Sequence, residues 1–100
     1  MTPTRALAVV AVFTAEPAHA AEVEAQLRRL VEPTLAEEGC VRYELSRAAE
    51  PGVWFFTEIW ASAEAHARHV RTEHIRQMLH ATLPLLARPI QEYKGEVLAG

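Results

Sequence analysis

The chain contains no aspartate and no asparagine; every acidic side chain is a glutamate. That removes many metal-binding loops and every mechanism that needs an asparagine carboxamide. There is one cysteine, Cys40. It cannot close an internal disulfide, which suits a reducing compartment, and a cytoplasmic location is expected. No basic stripe is present: acidic and basic residues are interspersed at a net charge of −3, so no nucleic-acid partner is expected. No apolar run is long enough to span a bilayer, so no membrane partner is expected. Gly-rich phosphate loops, repeats, linkers and low-complexity tracts are also missing. What remains is one domain over residues 1–100, half of it apolar, enough for a small core.

The N-terminus imitates a secretory signal, with Arg5, an apolar run from Ala6 to Phe13, and Ala18-His19-Ala20 as an A-x-A site. The same run is an ordinary buried strand, and cleavage after Ala20 would remove the first element of a small domain. The strand is the preferred reading.

Arg5 to Thr14 is expected as strand one, with Leu7, Val9 and Phe13 on one face and Ala8, Val10 and Val12 on the other. Both faces are apolar, so both should be covered. Glu16-Pro17 opens a helix with Ala20, Val23, Leu27, Leu30 and Val31 at helical spacing. Pro33 should kink it, a further turn Thr34–Glu38 should follow, and Gly39 should stop it. Cys40 to Arg47 is strand two, with Val41, Tyr43 and Leu45 on one face. Glu50-Pro51-Gly52 is a hairpin turn into strand three. Ser62 caps a short helix, Ala63 to Arg71, and Thr72 caps another, from Glu73 to about Leu86. Strand four is expected from Ile90 to Leu98. The order β-α-β-β-α-β defines an α+β class: a ferredoxin-like, four-stranded antiparallel sheet with helices on one face. The uncovered face is apolar, and a second copy packed sheet to sheet as a homodimer would bury it.

The stretch Trp54 to His74 carries the candidate chemistry. Alternation puts Trp54, Phe56, Glu58 and Trp60 on one face of strand three: three aromatics around a single carboxylate. A helix bearing His66 and His69 follows. Glu58 is either a general base tuned by desolvation or an ion-pair partner of Arg42 or a helix arginine. Trp60 is either a flat wall for an aromatic ligand or a core residue. His66 and His69, at i and i+3, could share a face and join His74 or Glu58 around a metal; the more ordinary role is a pocket acid or base. Arg76 is an anion clamp or a surface helix charge. Cys40 is expected as a small hydrophobe, and His19 and His80 as solvated residues.

Glu38-Gly39-Cys40-x-x-Tyr43-Glu44-Leu45, then Phe56-x-Glu58-x-Trp60-x-Ser62-x-Glu64-Ala65, then His69 and His74, resemble the antibiotic biosynthesis monooxygenase family, which includes bacterial quinol monooxygenases. The similarity covers about residues 6 to 97. It implies a dimeric α/β barrel, a homodimer. Members oxidise polycyclic phenols without metal or flavin, degrade haem, or isomerise a phosphorylated sugar. The haem-degrading branch needs an asparagine on strand one, which this chain lacks. In the phenol-oxidising branch the pocket tryptophan corresponds to Trp60, a tyrosine to His66 and an arginine to Arg76, while an asparagine is replaced by Phe56.

The resemblance therefore implies a cofactor-independent monooxygenase acting with O₂ on a hydroquinone-like or polycyclic phenol. No cofactor and no metal are expected. Glu58, His69, His66 and Arg76 are the expected catalytic residues, and Trp60 and Phe56 the substrate-binding ones. The alternatives are a non-catalytic small-molecule-binding or stress-response dimer, and an isomerase of a small oxygenated metabolite.

Overall fold

A computed structural model describes residues 5–100 of the chain. Its strands are β1 (Leu7–Thr14), β2 (Cys40–Arg47), β3 (Val53–Trp60) and β4 (Gln91–Glu96), and its α-helices are α1 (Ala20–Arg28), α2 (Val31–Leu35), α3 (Ala63–His69) and α4 (Glu73–Thr82). The sheet order is β2-β3-β1-β4, and every neighbouring pair is antiparallel. This is the ferredoxin-like α+β arrangement, with the sheet open rather than closed on itself. The apolar N-terminal run is a central strand, paired on both sides, as its two apolar faces require.

Alternation decides which side chains meet the helices. Val9, Ala11 and Phe13 of β1 and Trp54, Phe56, Glu58 and Trp60 of β3 are all buried. The intervening Ala8, Val10, Val12, Phe55, Thr57 and Ile59 are only half-buried, because no layer covers that side. In β2 the expected pattern is offset at its start. The ladder slips between Cys40 and Arg42, and Val41 swings out to 64% exposure. A bulge places an extra residue on one strand and leaves it unpaired.

The helices also stop earlier than periodicity suggests, and prolines explain why. Pro33 has no N–H to give the carbonyl four residues earlier, and its ring collides with that carbonyl. The break therefore falls at Arg29–Leu30, ahead of the proline, and Leu30 instead makes a tight bond to Leu27 O at 3.1 Å. Pro84 similarly ends α4 at Thr82, and Leu83–Leu85 continues as a 3-10 turn. At the other ends the expected caps are present: Ser62 Oγ accepts from Ala65 N at 3.1 Å, and Thr72 Oγ1 accepts from Ile75 N at 3.4 Å. Helix α3 ends at His69 rather than Arg71, and β4 is shorter than expected, from Gln91 to Glu96.

Gly39 has a left-handed backbone, φ +87°. A Cβ built there would lie 2.5 Å from the Ala65 Cβ. The loop after α2 can therefore lie directly against α3 only because residue 39 is glycine.

Candidate functional site

Between the sheet and helices α3 and α4 lies a cavity of about 150 Å³. Its floor comes from Ala11, Phe56, Glu58 and Tyr43, and its roof from His66, His69, Ile75, Met78 and Leu79. Glu92 of β4 closes one side; it sits opposite Ala11 in the ladder, so its side chain faces the helices.

Glu58 is the chemically distinctive wall residue. It is 4% exposed. Its Oε1 accepts one hydrogen bond, from Trp60 Nε1 at 2.9 Å. Among the described residues no arginine pairs with it: Arg42 pairs instead with Glu44 on the opposite side of the sheet, at 2.7 Å. Burial pushes the Glu58 carboxyl up to about 7; the Trp60 bond opposes this, and the charges of Glu92 and Glu37 reinforce it. Near neutral pH such a group holds and releases its proton with similar ease, as a general base must.

The two helix histidines do share a face. His66 and His69 are buried, on α3 directly above β3. Burial lowers both imidazoles below their ordinary value, keeping them neutral; at His69 a bond to Glu37 opposes that effect. Glu37 is the residue that sequence reasoning missed. Its Oε2 lies 2.7 Å from His69 Nδ1 and 2.7 Å from His74 Nε2. A carboxylate only accepts, so those two ring nitrogens carry the protons.

Two expected site residues lie elsewhere. Trp60 is fully buried and is not a cavity wall: its ring packs beneath His69, centroids 4.6 Å apart, and beside His66 at 5.8 Å. Its role is to hold the imidazoles and one Glu58 oxygen, so it does not present a free face to a ligand. Arg76 points outward on α4, paired with Glu73, along a surface groove shared with Gln77 and His80. Its spacing from Ile75 and Met78, both of which turn inward, puts it on the solvent side of the helix. Phe56, by contrast, is a cavity wall, and Tyr43 stacks on it at 4.7 Å. Tyr43 was legible as an apolar-face residue of β2 and as part of the family motif, not as a site residue; burial raises its phenol well above the ordinary value, so it stays a neutral wall.

A larger groove, about 630 Å³, runs between α1 and the β2–β3 hairpin. Its one buried-side carboxylate, Glu24, already accepts from Trp54 Nε1 at 2.9 Å, Arg47 Nε at 2.9 Å and Arg28 Nε at 3.1 Å. These bonds, Trp54's first, lower Glu24 to about 2. A carboxylate so fully partnered is a brace for the hairpin, and the smaller cavity is the better site.

An open antiparallel sheet, a helical layer on one face and an acid-bearing aromatic cavity between them define a ferredoxin-like α+β domain with room for a small molecule. The chain belongs to the antibiotic biosynthesis monooxygenase family, whose model matches residues 6–81. It is 31% identical over 87 residues to the "Putative monooxygenase Rv0793" of Mycobacterium tuberculosis, covering 87% of this chain and 86% of that one. The crystal structure of PA3566 from Pseudomonas aeruginosa superposes with a TM-score of 0.90 at 31% identity, over 99% of this chain and 100% of that one. A putative antibiotic biosynthesis monooxygenase from Caulobacter crescentus gives 0.87 at 28%, over 96% and 92%. Among the described residues no helix is long and apolar enough to cross a membrane.

Proposed function

We propose that the cavity binds a hydroquinone-like phenol and oxidises it with O₂, with Glu58 as the base. One observation carries the reading: a buried carboxyl that is not ion-paired, pushed up to about 7, in a wall otherwise built mainly from aromatic and aliphatic side chains. Family membership supports monooxygenase chemistry in general. Cavity size favours a single ring, since about 150 Å³ is roughly the apolar volume that takes up one benzene.

Glu58 takes the phenolic proton, and the phenolate passes one electron to O₂. The resulting superoxide joins a ring carbon, giving a hydroperoxide. Loss of water from that carbon leaves a carbonyl. The sum is hydroquinone plus O₂ to hydroxyquinone plus water, and the substrate supplies all four electrons. The apolar walls keep bulk water away from the radical pair. His66 is the cavity group able to donate to the developing oxyanion.

The chain acts, on this reading, as a cytoplasmic homodimer. Ala8, Val10, Val12, Phe55 and Ile59 share the uncovered face of the sheet with Tyr93, and a second copy would bury them. The runner-up is a dimer that binds a small aromatic without turning it over. It draws on the outward position of Arg76, which leaves the cavity without an arginine to stabilise an anion.

Oxygen uptake with a panel of monocyclic quinols tests the reading. Wild type should consume one O₂ per quinol, and Glu58→Gln should lose roughly 10²–10⁴-fold in rate with binding retained. Saturable quinol binding without oxygen uptake would favour the runner-up.

A further inference from the structure

We propose that Glu37, His69 and His74 form a binding site for a divalent ion of the zinc class, at the corner where α3 meets α4. The three residues come from three separate pieces of chain: the loop after α2, the last turn of α3 and the first turn of α4. Their ligand atoms all lie within 4.8 Å of one another. Two imidazole nitrogens and one carboxylate oxygen form a donor set that zinc takes, with a fourth position left for water. Tetrahedral bonds of about 2.0–2.2 Å place neighbouring ligand atoms roughly 3.3 Å apart. To admit the ion, the two present N···O separations of 2.7 Å open by about half an ångström and the third separation, within 4.8 Å, closes toward roughly 3.3 Å.

The backbone beneath each ligand is already fixed. Thr72 ties the two histidines together, its Oγ1 donating to His69 O at 2.8 Å while accepting from Ile75 N. Glu37 is pinned from both sides: its N–H bonds Thr34 O at 3.0 Å, and its carbonyl accepts from Cys40 N at 3.2 Å. A site whose ligands are held in place loses little entropy on binding.

Occupancy would also reach the cavity. Without an ion, His69 Nδ1 carries the proton and Nε2 is a bare acceptor. An ion needs the Nδ1 lone pair, so the ring proton moves to Nε2 and the neutral ring releases none. His69, which forms part of the cavity wall, thus changes from acceptor to donor. The sequence offered His66 and His69 with His74 or Glu58 as a metal set, and the resemblance implied no metal; the ligand that joins His69 and His74 is instead Glu37, 32 residues before His69.

The proposal does not rest on the phenol-oxidising reading, because binding is measured without turnover. The full-length protein is treated with EDTA, dialysed, and titrated with Zn²⁺ alone. One ion per chain should bind saturably. Glu37→Gln and His74→Ala should each weaken binding at least ~10-fold, while His80→Ala, on the exposed side of α4, should not. In ¹⁵N spectra His69 Nε2 should shift from a bare to a protonated nitrogen on titration. His74 is only half-buried, so its variant should fold, and circular dichroism verifies that. Absence of saturable binding, binding indifferent to both ligand substitutions, or an unchanged His69 tautomer at saturation would each overturn the proposal.

Discussion

Replacing Glu58 with glutamine isolates the buried carboxyl, because the amide keeps its shape and an oxygen able to accept from Trp60 Nε1 but cannot ionise. In the folded chain the carboxyl is pushed from an ordinary 4.5 up to about 7. At about 1.4 kcal/mol per pH unit, ionisation then costs about 3 kcal/mol more in the folded than in the unfolded state. The sign follows from linkage. Below pH 4.5 the group is protonated in both states and the raised value costs nothing; between 4.5 and about 7 the unfolded chain sheds the proton while the folded chain keeps it. Wild type therefore loses stability as pH rises through that window, and the loss is complete above it. Glu58→Gln escapes the loss. The two proteins should have equal stability near about pH 4, and the variant should lead by about 3 kcal/mol near about pH 8, or roughly 10–20 °C in Tm for a domain of this size. Urea denaturation of EDTA-treated protein across that range measures it, at one protein concentration because self-association, where present, shifts the midpoint. A stability difference that does not change with pH, or a variant weaker than wild type at the alkaline end, would refute the reasoning.

Gly39→Ala should destabilise the fold by about 2–4 kcal/mol, combining a left-handed backbone with a methyl forced into Ala65; a urea midpoint equal to wild type would show that the loop shifts freely. Phe55→Glu puts a charge in the middle of the uncovered sheet face, and sedimentation should show the dimer giving way to a folded monomer; a variant that remains dimeric would place the interface elsewhere.

The strands were legible because a period of two either agrees with burial along a whole strand or fails visibly. Val9, Phe13, Trp54, Phe56, Glu58 and Trp60 all face the helices as the alternation implies. The slip at Val41 was not legible, since a bulge moves one residue without leaving any compositional mark. α1 and α4 stop short because Pro33 and Pro84 lack the N–H that would continue the hydrogen-bond ladder. At the site, Glu58, His66, His69 and Phe56 share one strand face or one helix face, and local periodicity found them. His74 was named as a possible metal companion of the α3 histidines, but Glu37 meets His69 through tertiary packing across 32 residues of chain, which no local pattern encodes. Alternation put Trp60 on the right face, and the resemblance added a pocket role for Trp60 and Arg76; neither carries the rotation of a side chain toward or away from a cavity.

The cost of Glu58 also bears on whether the cavity does chemistry. A domain of this size has a total stability of about 5–15 kcal/mol, and about 3 kcal/mol of that is forgone at neutral pH by leaving a carboxyl at residue 58. Folding supplies no compensation: the group braces no arginine, and the bond from Trp60 could be accepted equally by an amide. Contrast Glu24, which is lowered to about 2 and whose ionised form three donors stabilise. One carboxylate serves the fold and the other works against it. On the proposed reading, the cost of keeping an exchangeable proton inside an apolar cavity is offset by proton transfer to or from a bound molecule. If Glu58→Gln binds quinols as tightly as wild type while losing oxygen uptake and gaining stability, the carboxyl's cost belongs to turnover; if binding and stability both improve with no uptake in either protein, it does not.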